Sequence, residues 1–191
     1  MPKGFTTKQS SIAYEISQKM SCQSPKHGRI NLRPVTPDDD EFLVTLYGST
    51  RTEELSLLPW TEDQRDAFVR WQFAAQQEHY AKHYPTANHD VIMIDGRQVG
   101  RLYVARLEQE IRIVDITVLP ADRNAGTGSY LIKQLLDEAD LTGRVTRIYV
   151  EEFNPSLSLF KRLDFSSIQQ DGFHLLLQRT PRSNNSEHDT K

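Results

Sequence analysis

The sequence predicts an α/β fold of the α+β type: a mixed, mostly antiparallel sheet flanked by helices on both faces. Three observations predict it. Short apolar segments with strand-like alternation recur between residues 29 and 179, and amphipathic segments with helical periodicity separate them. One apolar segment also runs directly into a glycine-containing turn and a helix. A chain of 191 residues is long enough to form one domain with a full core.

Both ends of the sequence lack this pattern. Residues 1–28 are rich in Ser, Thr, Lys and Gln, and residues 182–191 are similarly polar. We expect both segments to be disordered because they cannot bury enough apolar surface. Residues 29–181 are expected to form the domain.

The domain begins with a predicted strand and two predicted helices. Arg29 to Val35 alternates apolar and polar residues, and Thr36 with Pro37 and the following acids is typical of a helix start. The first helix carries one apolar face, formed by Phe42, Leu43, Leu46 and Tyr47. The second begins at a capping box, Thr61 to Gln64, and ends before Pro85. Its predicted inward positions are Ala67, Phe68, Trp71 and Ala75.

Three strands are predicted next. Residues 91–94 and 99–105 flank Asp95 and Gly96, a strong hairpin signal, and residues 111–118 form the third strand. A helix follows, with an apolar side formed by Leu131, Ile132, Leu135, Leu136 and Ala139. Gly143 is its predicted stop.

The last part of the domain is predicted to contain three strands and one short helix. The strands cover residues 145–150, 166–169 and 173–178, and Asn154 with Pro155 caps the short helix.

Composition excludes several classes of protein. A net charge of −3 argues against nucleic-acid binding through bulk basicity. No apolar run approaches the roughly 18 residues of a membrane span, and the N-terminus lacks a secretory signal. We therefore expect a cytoplasmic monomer or homodimer without a nucleic-acid or membrane partner.

No metal site is expected either. Cys22 is the single cysteine, so a cysteine-based zinc site is excluded. His79 and His83 have the spacing of a metal pair on a helix, but no third ligand is evident and a solvated helix face explains them better.

The sequence RNAGTG contains an Arg-x-x-Gly-x-Gly motif, Arg123 to Gly128, at the start of a predicted helix. A helix N-terminus offers unpaired amides and partial positive charge, and glycine lets a ligand approach the backbone, so the motif suits phosphate. No Lys follows the second glycine, which excludes a P-loop. Leu131 stands where a Rossmann fingerprint needs a third Gly or Ala.

Two segments and the order of elements make the chain resemble the GNAT acyltransferase superfamily, whose members bind acyl-coenzyme A. DITVLPADRNAGTG resembles the superfamily's strand and pyrophosphate loop. VEEFNPSLSLFKRLDF resembles its second signature, a strand, then Asn, then a helix that ends before an aromatic residue. The order of elements from Arg29 to Arg179 fits its fold throughout.

The resemblance implies an acetyl-CoA site and a direct transfer of the acyl group to an amine, with no metal. The diphosphate would lie among the amides of residues 124–129, with Arg123 as an added contact. The pantetheine arm would pair with the backbone of residues 116–118, with Asn154 and Phe160 on its other side. The residues implied for the coenzyme are Ile116, Thr117, Val118, Arg123, Asn124, Ala125, Gly126, Thr127, Gly128, Ser129, Asn154 and Phe160.

The amide of Val118 is the oxyanion donor that the resemblance implies, and the general base stays open among three carboxylates. Glu110 opens the strand that leads to the motif, but it also fits a solvated turn charge. Asp115 interrupts an apolar strand, and an ion pair with Arg101 or Arg112 explains it nearly as well. Glu151 is the third candidate.

Three positions depart from the superfamily pattern. Phe160 stands where a Tyr commonly protonates the leaving thiolate, Asp164 replaces the usual Gly before the last aromatic residue, and Asn124 replaces a frequent Gly. Tyr149 or Tyr130 could supply the acid instead. The departures favour an alternative function, a catalytically weak or inactive protein that binds acyl-CoA and works through protein contacts.

Aromatic residues between positions 60 and 84 are expected to belong mostly to the core. Trp60, which follows Pro59, is the best candidate among them for lining an acceptor pocket.

Overall fold

The computed structural model describes residues 22–23 and 28–182. In this part of the chain one sheet has the strand order β1-β2-β3-β4-β5-β6-β8-β7. Only β5 and β6 pair in parallel. The predicted mixed, mostly antiparallel sheet is confirmed. The strands are β1 (Cys22–Gln23), β2 (Arg29–Pro34), β3 (Asn88–Ile94), β4 (Arg97–Arg106), β5 (Glu110–Val118), β6 (Val145–Glu151), β7 (Ser166–Asp171) and β8 (His174–Arg179). The helices are α1 (Asp40–Gly48), α2 (Thr52–Ser56), α3 (Glu62–His83), α4 (Thr127–Thr142) and α5 (Leu157–Arg162).

The first helix begins as predicted, after a 3₁₀ turn at Pro37–Asp39. Asp39 is buried there and accepts hydrogen bonds from Arg33, Thr36 and Gln98. The Arg33 guanidinium holds the pKa of the Asp39 carboxyl well below its usual range. The predicted apolar face of α1 is confirmed, because Leu43, Leu46 and Tyr47 are buried and Phe42 packs beside them.

Helix α3 begins at the predicted capping box, but of its four predicted inward residues only Phe68 packs inward, where it is partly buried. Val69 and Phe73 are its buried residues, whereas Ala67, Trp71 and Ala75 are exposed. The true face lies one position further along because Val69 and Phe73 pack on α1. The short helix α2 was not predicted, since TEELS carries no clear apolar period.

The predicted turn signals are confirmed. Asp95 and Gly96 adopt φ values of 48° and 81°, which is the conformation that a two-residue hairpin needs. Gly143 ends α4 with φ 66°. The predicted apolar side of α4 is buried against the sheet and forms the main core with residues of β4, β5 and β6.

A β-bulge divides the sheet in its middle. The β5–β6 ladder covers residues 110–113 and 145–148. Next to its end, Tyr103 pairs with Asp115 while Val104 pairs with Ile113, so Val114 is an extra residue on β5. Beyond this point β5 continues along β4, and β6 continues along β8. A gap therefore opens between residues 114–118 of β5 and residues 149–151 of β6, and we call it the split.

The ends of the described chain differ slightly from the expected domain limits. Cys22 and Gln23, expected to be disordered, pair with Ile30 and Arg29. Arg182, the first residue of the expected tail, donates its backbone N–H to Asp140 at 2.7 Å. The rest of the two segments, residues 1–21, 24–27 and 183–191, lies outside the described residues, so their disorder stays a prediction.

A partly buried histidine, His89, lies on β3 beside Tyr103. The His89 ring stacks on Tyr103 at 4.5 Å, and Tyr80 of α3 contacts the same tyrosine edge-on at 5.5 Å. Burial, with a further contribution from the Arg101 charge, lowers the pKa of His89 to about 4. The negative charges of Asp115 and Asp39 raise the pKa of His89, but by less than burial and Arg101 lower it.

Gly100→Ala should lower the free energy of unfolding by about 1–3 kcal/mol, because it overpacks the β4–β5 contact. A Cβ at Gly100 would lie 2.3 Å from the Thr117 carbonyl oxygen and 3.1 Å from Val118 Cα, so the end of β5 must move. Gly128→Ala is the control, since its Cβ would meet only Leu159 at 3.8 Å. Urea unfolding compares the two. Wild-type stability in Gly100→Ala would contradict the close approach of the strands.

Stability should fall as the pH drops from about 6.5 towards 4 because unfolded His89 gains a proton at its ordinary pKa near 6.5. The folded protein resists protonation until about pH 4. His89→Phe keeps a ring against Tyr103 and should flatten this part of the profile. Melting temperatures at pH 7, 6 and 5 test it, with the exposed His83→Phe as control. Parallel profiles for wild type and His89→Phe would show that another group is responsible.

Candidate active site

The split exposes backbone donors on one edge of β5. The Leu119 N–H donates to the Val99 carbonyl at 2.8 Å. Since hydrogen-bonded and non-bonded pairs alternate in an antiparallel ladder, the amides of Ile116 and Val118 point away from β4 and into the split. This edge can accept an extended, amide-bearing ligand in the manner of an added strand.

Residues 119–126, which we call the glycine turn, lead from the end of β5 to α4. Asn124 and Gly126 adopt φ values of 61° and 91° in this turn. Asn is among the few residues other than Gly that tolerate this region, so the departure at Asn124 preserves the backbone path.

The first turn of α4 is left open to an anion. Gly126 occupies the N-cap without a side-chain cap, and the first turn contains no acidic residue. The first helical hydrogen bond runs from Tyr130 N to Gly126 O at 2.9 Å. The preceding amides therefore need a partner from outside the helix.

Space and polarity at this helix end fit a phosphate group. A Cβ on Gly126 would meet nothing within 4 Å, and one on Gly128 only a Leu159 methyl at 3.8 Å. The left-handed φ explains Gly126, but packing does not explain Gly128. The buried Thr127 hydroxyl also has no hydrogen-bond partner among the described residues. The turn and helix start therefore fit a diphosphate cradle.

Arg123 connects the glycine turn to the split. Its Nε donates to the Val118 carbonyl at 2.9 Å, which places the guanidinium at the open edge of β5. A surface cavity of about 440 Å³ adjoins the turn. Its lining residues are Ile94, Arg97, Ala121, Asp122, Arg123, Asn124 and Ala125.

Asp115 lies beside the split because of the bulge. Ile111 and Ile113 face the main core, and the extra residue Val114 turns Asp115 and Thr117 to the opposite face. There Asp115 forms an ion pair with Arg101 and accepts a hydrogen bond from the Thr117 hydroxyl at 2.7 Å. The expected ion pair of Asp115 with Arg101 is therefore confirmed, and Arg101 is only 2% exposed.

Glu110 lies away from the split. It is buried, 8% exposed, and pairs with Arg112 at 2.8 Å and Arg147 at 2.6 Å, so the expectation of a solvated turn charge is wrong. It stands eight residues before Val118, about 26 Å along the strand at the usual rise. Glu110 therefore lies at the paired end of β5, away from the open amides of the split.

Two candidate residues face Asp115 across the split. Ile148 and Val150 point into the main core, so alternation directs Tyr149 and Glu151 of β6 to the same face as Asp115. Tyr149 is 47% exposed, and the Arg112 guanidinium lies 5.2 Å from the centre of its ring. Glu151 makes one long ion pair, 3.6 Å, with Arg51.

Tyr130 does not belong to this group, because it packs against the main core on the opposite side of the sheet.

The second signature forms a turn and a short helix beyond β6. Asn154 is exposed, and its Oδ1 accepts a hydrogen bond from Ser156 N at 2.9 Å. The regular helix α5 begins after Ser156, which makes no side-chain cap, and Asn154 caps the turn that leads into it, as predicted, through this bond and the bond from Leu157 N to Asn154 O at 3.1 Å. Phe160 is 1% exposed and packs edge-to-face on Phe165 at 5.3 Å. Asp164 adopts φ 63°, which the usual Gly would also adopt.

Two weaker sequence features remain separate from the split. Trp60 is partly buried and contacts Phe68 at 5.0 Å, so it packs against the second apolar cluster, which Leu43, Tyr47, Leu55, Val69 and Phe73 form. His79 and His83 stack at 4.1 Å on an exposed helix face. The described residues hold no group of three or more His, Cys, Asp or Glu suited to a metal ion. None of the described helices is long and apolar enough to cross a bilayer.

Sequence reasoning missed several contributors to the site. Gly100 was not singled out, although a glycine inside a strand signals a close backbone approach. Thr127 was expected at the coenzyme site, but the burial of its hydroxyl without a partner, like the Arg112 contact to Tyr149, depends on tertiary packing, for which the sequence offers no local signal.

Solved structures support the fold assignment. The N-acetyltransferase PaiA from Thermoplasma acidophilum, solved in complex with coenzyme A, superposes with a TM-score of 0.61 at 14% identity, covering 79% of this chain and 98% of that one. A putative phosphinothricin N-acetyltransferase has a TM-score of 0.56 at 21% identity, covering 81% and 99%. At these identities the likeness concerns the fold alone.

A third solved structure has the same fold. Histone acetyltransferase HPA2 and related acetyltransferase from Corynebacterium glutamicum has a TM-score of 0.57 at 18% identity, covering 84% of this chain and 99% of that one. No curated protein sequence matches the chain. Residues 52–165, more than half of the chain, match the acetyltransferase (GNAT) family. The chain therefore belongs to the acetyltransferase (GNAT) family, as its two motif segments and the order of its elements led us to expect.

Proposed function

We propose that this protein is an acyl-CoA-dependent N-acyltransferase that transfers an acetyl group from acetyl-CoA to an amine of a small molecule or protein. One observation carries the proposal: the split ends at an uncapped helix N-terminus whose second glycine, Gly128, has no packing role. Family membership and a coenzyme A complex of a protein with the same fold support it. We expect a cytoplasmic monomer or homodimer with residues 29–181 as the catalytic domain.

The chain offers two sets of donors for the coenzyme. The amides of residues 124–129 suit the diphosphate, with Arg123 at the edge of the same turn. The open edge of β5 suits the pantetheine arm, which is extended and carries amide groups, and the Val118 amide offers it a donor next to the glycine turn. Asn154 and Phe160 are assigned to the other side of the arm by the family resemblance.

The thioester supplies an activated acyl group, and the amine nitrogen attacks its carbonyl carbon while the carbon–sulfur bond breaks. The Val118 N–H lies next to the glycine turn and binds the arm, so the Ile116 N–H, which is directed into the split farther from that turn, is the donor that can stabilise the oxyanion. A neutral amine must first be formed, which requires a base. We assign this role to Glu151, whose side chain is 46% exposed and has one long contact. Both oxygens of Asp115 already accept hydrogen bonds, so its role is to hold charge beside the split.

Tyr149 is the proposed acid for the leaving thiolate. Its phenol lies on the open face next to the split, whereas α5 carries Phe160 in the core. The alternative function is acyl-CoA binding without turnover, and the specific observation in its favour is this absence of a phenol at position 160. Thiol release from acetyl-CoA across a panel of amines decides between the two. Binding without release would favour the alternative.

Gly128→Trp should abolish acetyl-CoA binding, and Gly128→Ala should weaken it roughly tenfold while raising stability by up to about 1 kcal/mol through helix propensity. The reason is that the added side chain occupies the space beside the open amides. Titration calorimetry measures the affinity. Gly143→Asn, at the other end of α4, is the control and should bind like wild type, because Asn tolerates its left-handed φ. Wild-type affinity in folded Gly128→Trp would remove the proposed cradle.

Tyr149→Phe should lower kcat by about 10²-fold, within the range of lost general acid catalysis, without changing the melting temperature. Tyr130→Phe, on the opposite face, is the matched control. Phe160→Tyr buries a hydroxyl among core residues and should cost about 1–3 kcal/mol of stability with no gain in kcat. A rise in kcat for Phe160→Tyr, or an unchanged kcat for Tyr149→Phe, would return the acid role to α5 or to another group.

A further inference from the structure

We propose that the ion pair between Arg97 and Asp122 is a positioning device that holds the glycine turn in its coenzyme-binding place. This inference rests on the proposed function for its ligand. It concerns two residues that lie outside the Arg-x-x-Gly-x-Gly motif, one on the β3–β4 hairpin and one in the turn.

The geometry favours a holding role over a direct contact with phosphate. Arg97 Nη1 and Nη2 donate to the two Asp122 carboxylate oxygens at 3.0 and 2.6 Å. Each terminal nitrogen of Arg97 therefore already donates one of its two N–H groups to Asp122. The Arg97 guanidinium also lowers the pKa of the Asp122 carboxyl, so Asp122 stays ionised and paired at neutral pH.

The hairpin that carries Arg97 is itself fixed to the sheet. Asp95 Oδ1 accepts the Arg29 N–H at 2.8 Å, and the Asp95 N–H donates to the Arg29 carbonyl at 3.2 Å. Arg97 then pairs with Ile94 at the closed end of the hairpin. A side chain anchored here can resist displacement of whatever it binds.

The glycine turn has few other links to the sheet. Its first residue, Leu119, is tied to β4 by the N–H bond to the Val99 carbonyl, whereas the bonds from Asp122 N to Leu119 O and from Arg123 N to Pro120 O are local. Among the described residues, the side-chain bonds that connect residues 120–126 to the sheet are those of Asp122 with Arg97 and of Arg123 with Val118. Loss of the contact between Asp122 and Arg97 would leave the middle of the turn free to shift.

Such a shift would be expressed in affinity far more than in stability. An ion pair with one partner open to solvent contributes little to folding, and here the Arg97 side chain is 60% exposed while that of Asp122 is 12% exposed. A turn that occupies its competent position for only a fraction of the time binds its ligand more weakly by the reciprocal of that fraction. Occupancy of about one tenth thus gives a tenfold loss of affinity.

Three variants separate this role from two other roles for the same pair. If the pair positions the turn, then Arg97→Gln, Asp122→Asn and the double variant should each bind coenzyme A roughly tenfold more weakly, without further loss in the double variant. If Arg97 only neutralises Asp122, Asp122→Asn should bind as well as wild type. If Arg97 contacts a phosphate directly, Asp122→Asn frees it and should bind at least as well. The result for Asp122→Asn is therefore decisive.

The experiment is titration calorimetry of the full-length protein with coenzyme A, together with hydrogen exchange of the Asp122 and Arg123 amides in the absence of ligand. Glu41→Gln is the matched control, because Arg70 binds Glu41 with the same two-bond geometry at 2.9 and 2.8 Å between α1 and α3. It should change neither reading. Arg97→Lys keeps the charge and should restore part of the affinity.

The expected result is weaker binding and faster exchange of both amides in Asp122→Asn, with an unchanged melting temperature. Unchanged exchange in Asp122→Asn would overturn the proposal, and so would wild-type affinity in that variant. If wild type binds no coenzyme A, the proposed function fails, and the exchange rates alone decide whether the pair holds the turn.

Discussion

The extra residue Val114 on β5 is the constraint on which the rest of the site depends. A bulge bends its strand and locally changes which side chains face the core. Here it ends the pairing of β5 with β6, which frees the amides of Ile116 and Val118. It also turns Asp115 away from the main core and towards Arg101, where its charge has a partner. One inserted residue therefore creates both the ligand edge and the polar face opposite it.

The region around the split contains several features that lower the stability of the fold when no ligand is bound. The start of α4 has no side-chain cap, the Thr127 hydroxyl and Arg101 Nη1 are buried without partners among the described residues, and Asn124 adopts a left-handed φ. Features of this kind cost of order 1 kcal/mol each, and they are expected where a ligand completes the hydrogen bonding. The nearby core, built from β4, β5, β6 and α4, supplies the compensating burial.

Much of the fold and part of the site could be predicted from the sequence, because local signals govern those parts. The capping box at Thr61, the hairpin at Asp95 and Gly96, and the stop at Gly143 are short-range features with a direct steric cause. Most of the inward face of α3 was predicted wrongly because its periodicity is weak and contact with α1 decides it. Glu110 was misjudged because its partners Arg112 and Arg147 come together only in the sheet. The bulge has no local signature beyond the odd charge at Asp115. Which side chains of β5 face the main core therefore could not be predicted from the sequence.

The central claim is that the split and the start of α4 form one continuous binding site for acyl-coenzyme A. The most direct measurement is an amide-resolved NMR titration of the protein with acetyl-CoA. The claim predicts that the amides of Ile116, Val118 and residues 124–129 shift together with one saturation curve, while those of the β7–β8 hairpin do not move. No perturbation at residues 124–129, or a saturable shift confined to another surface, would contradict it.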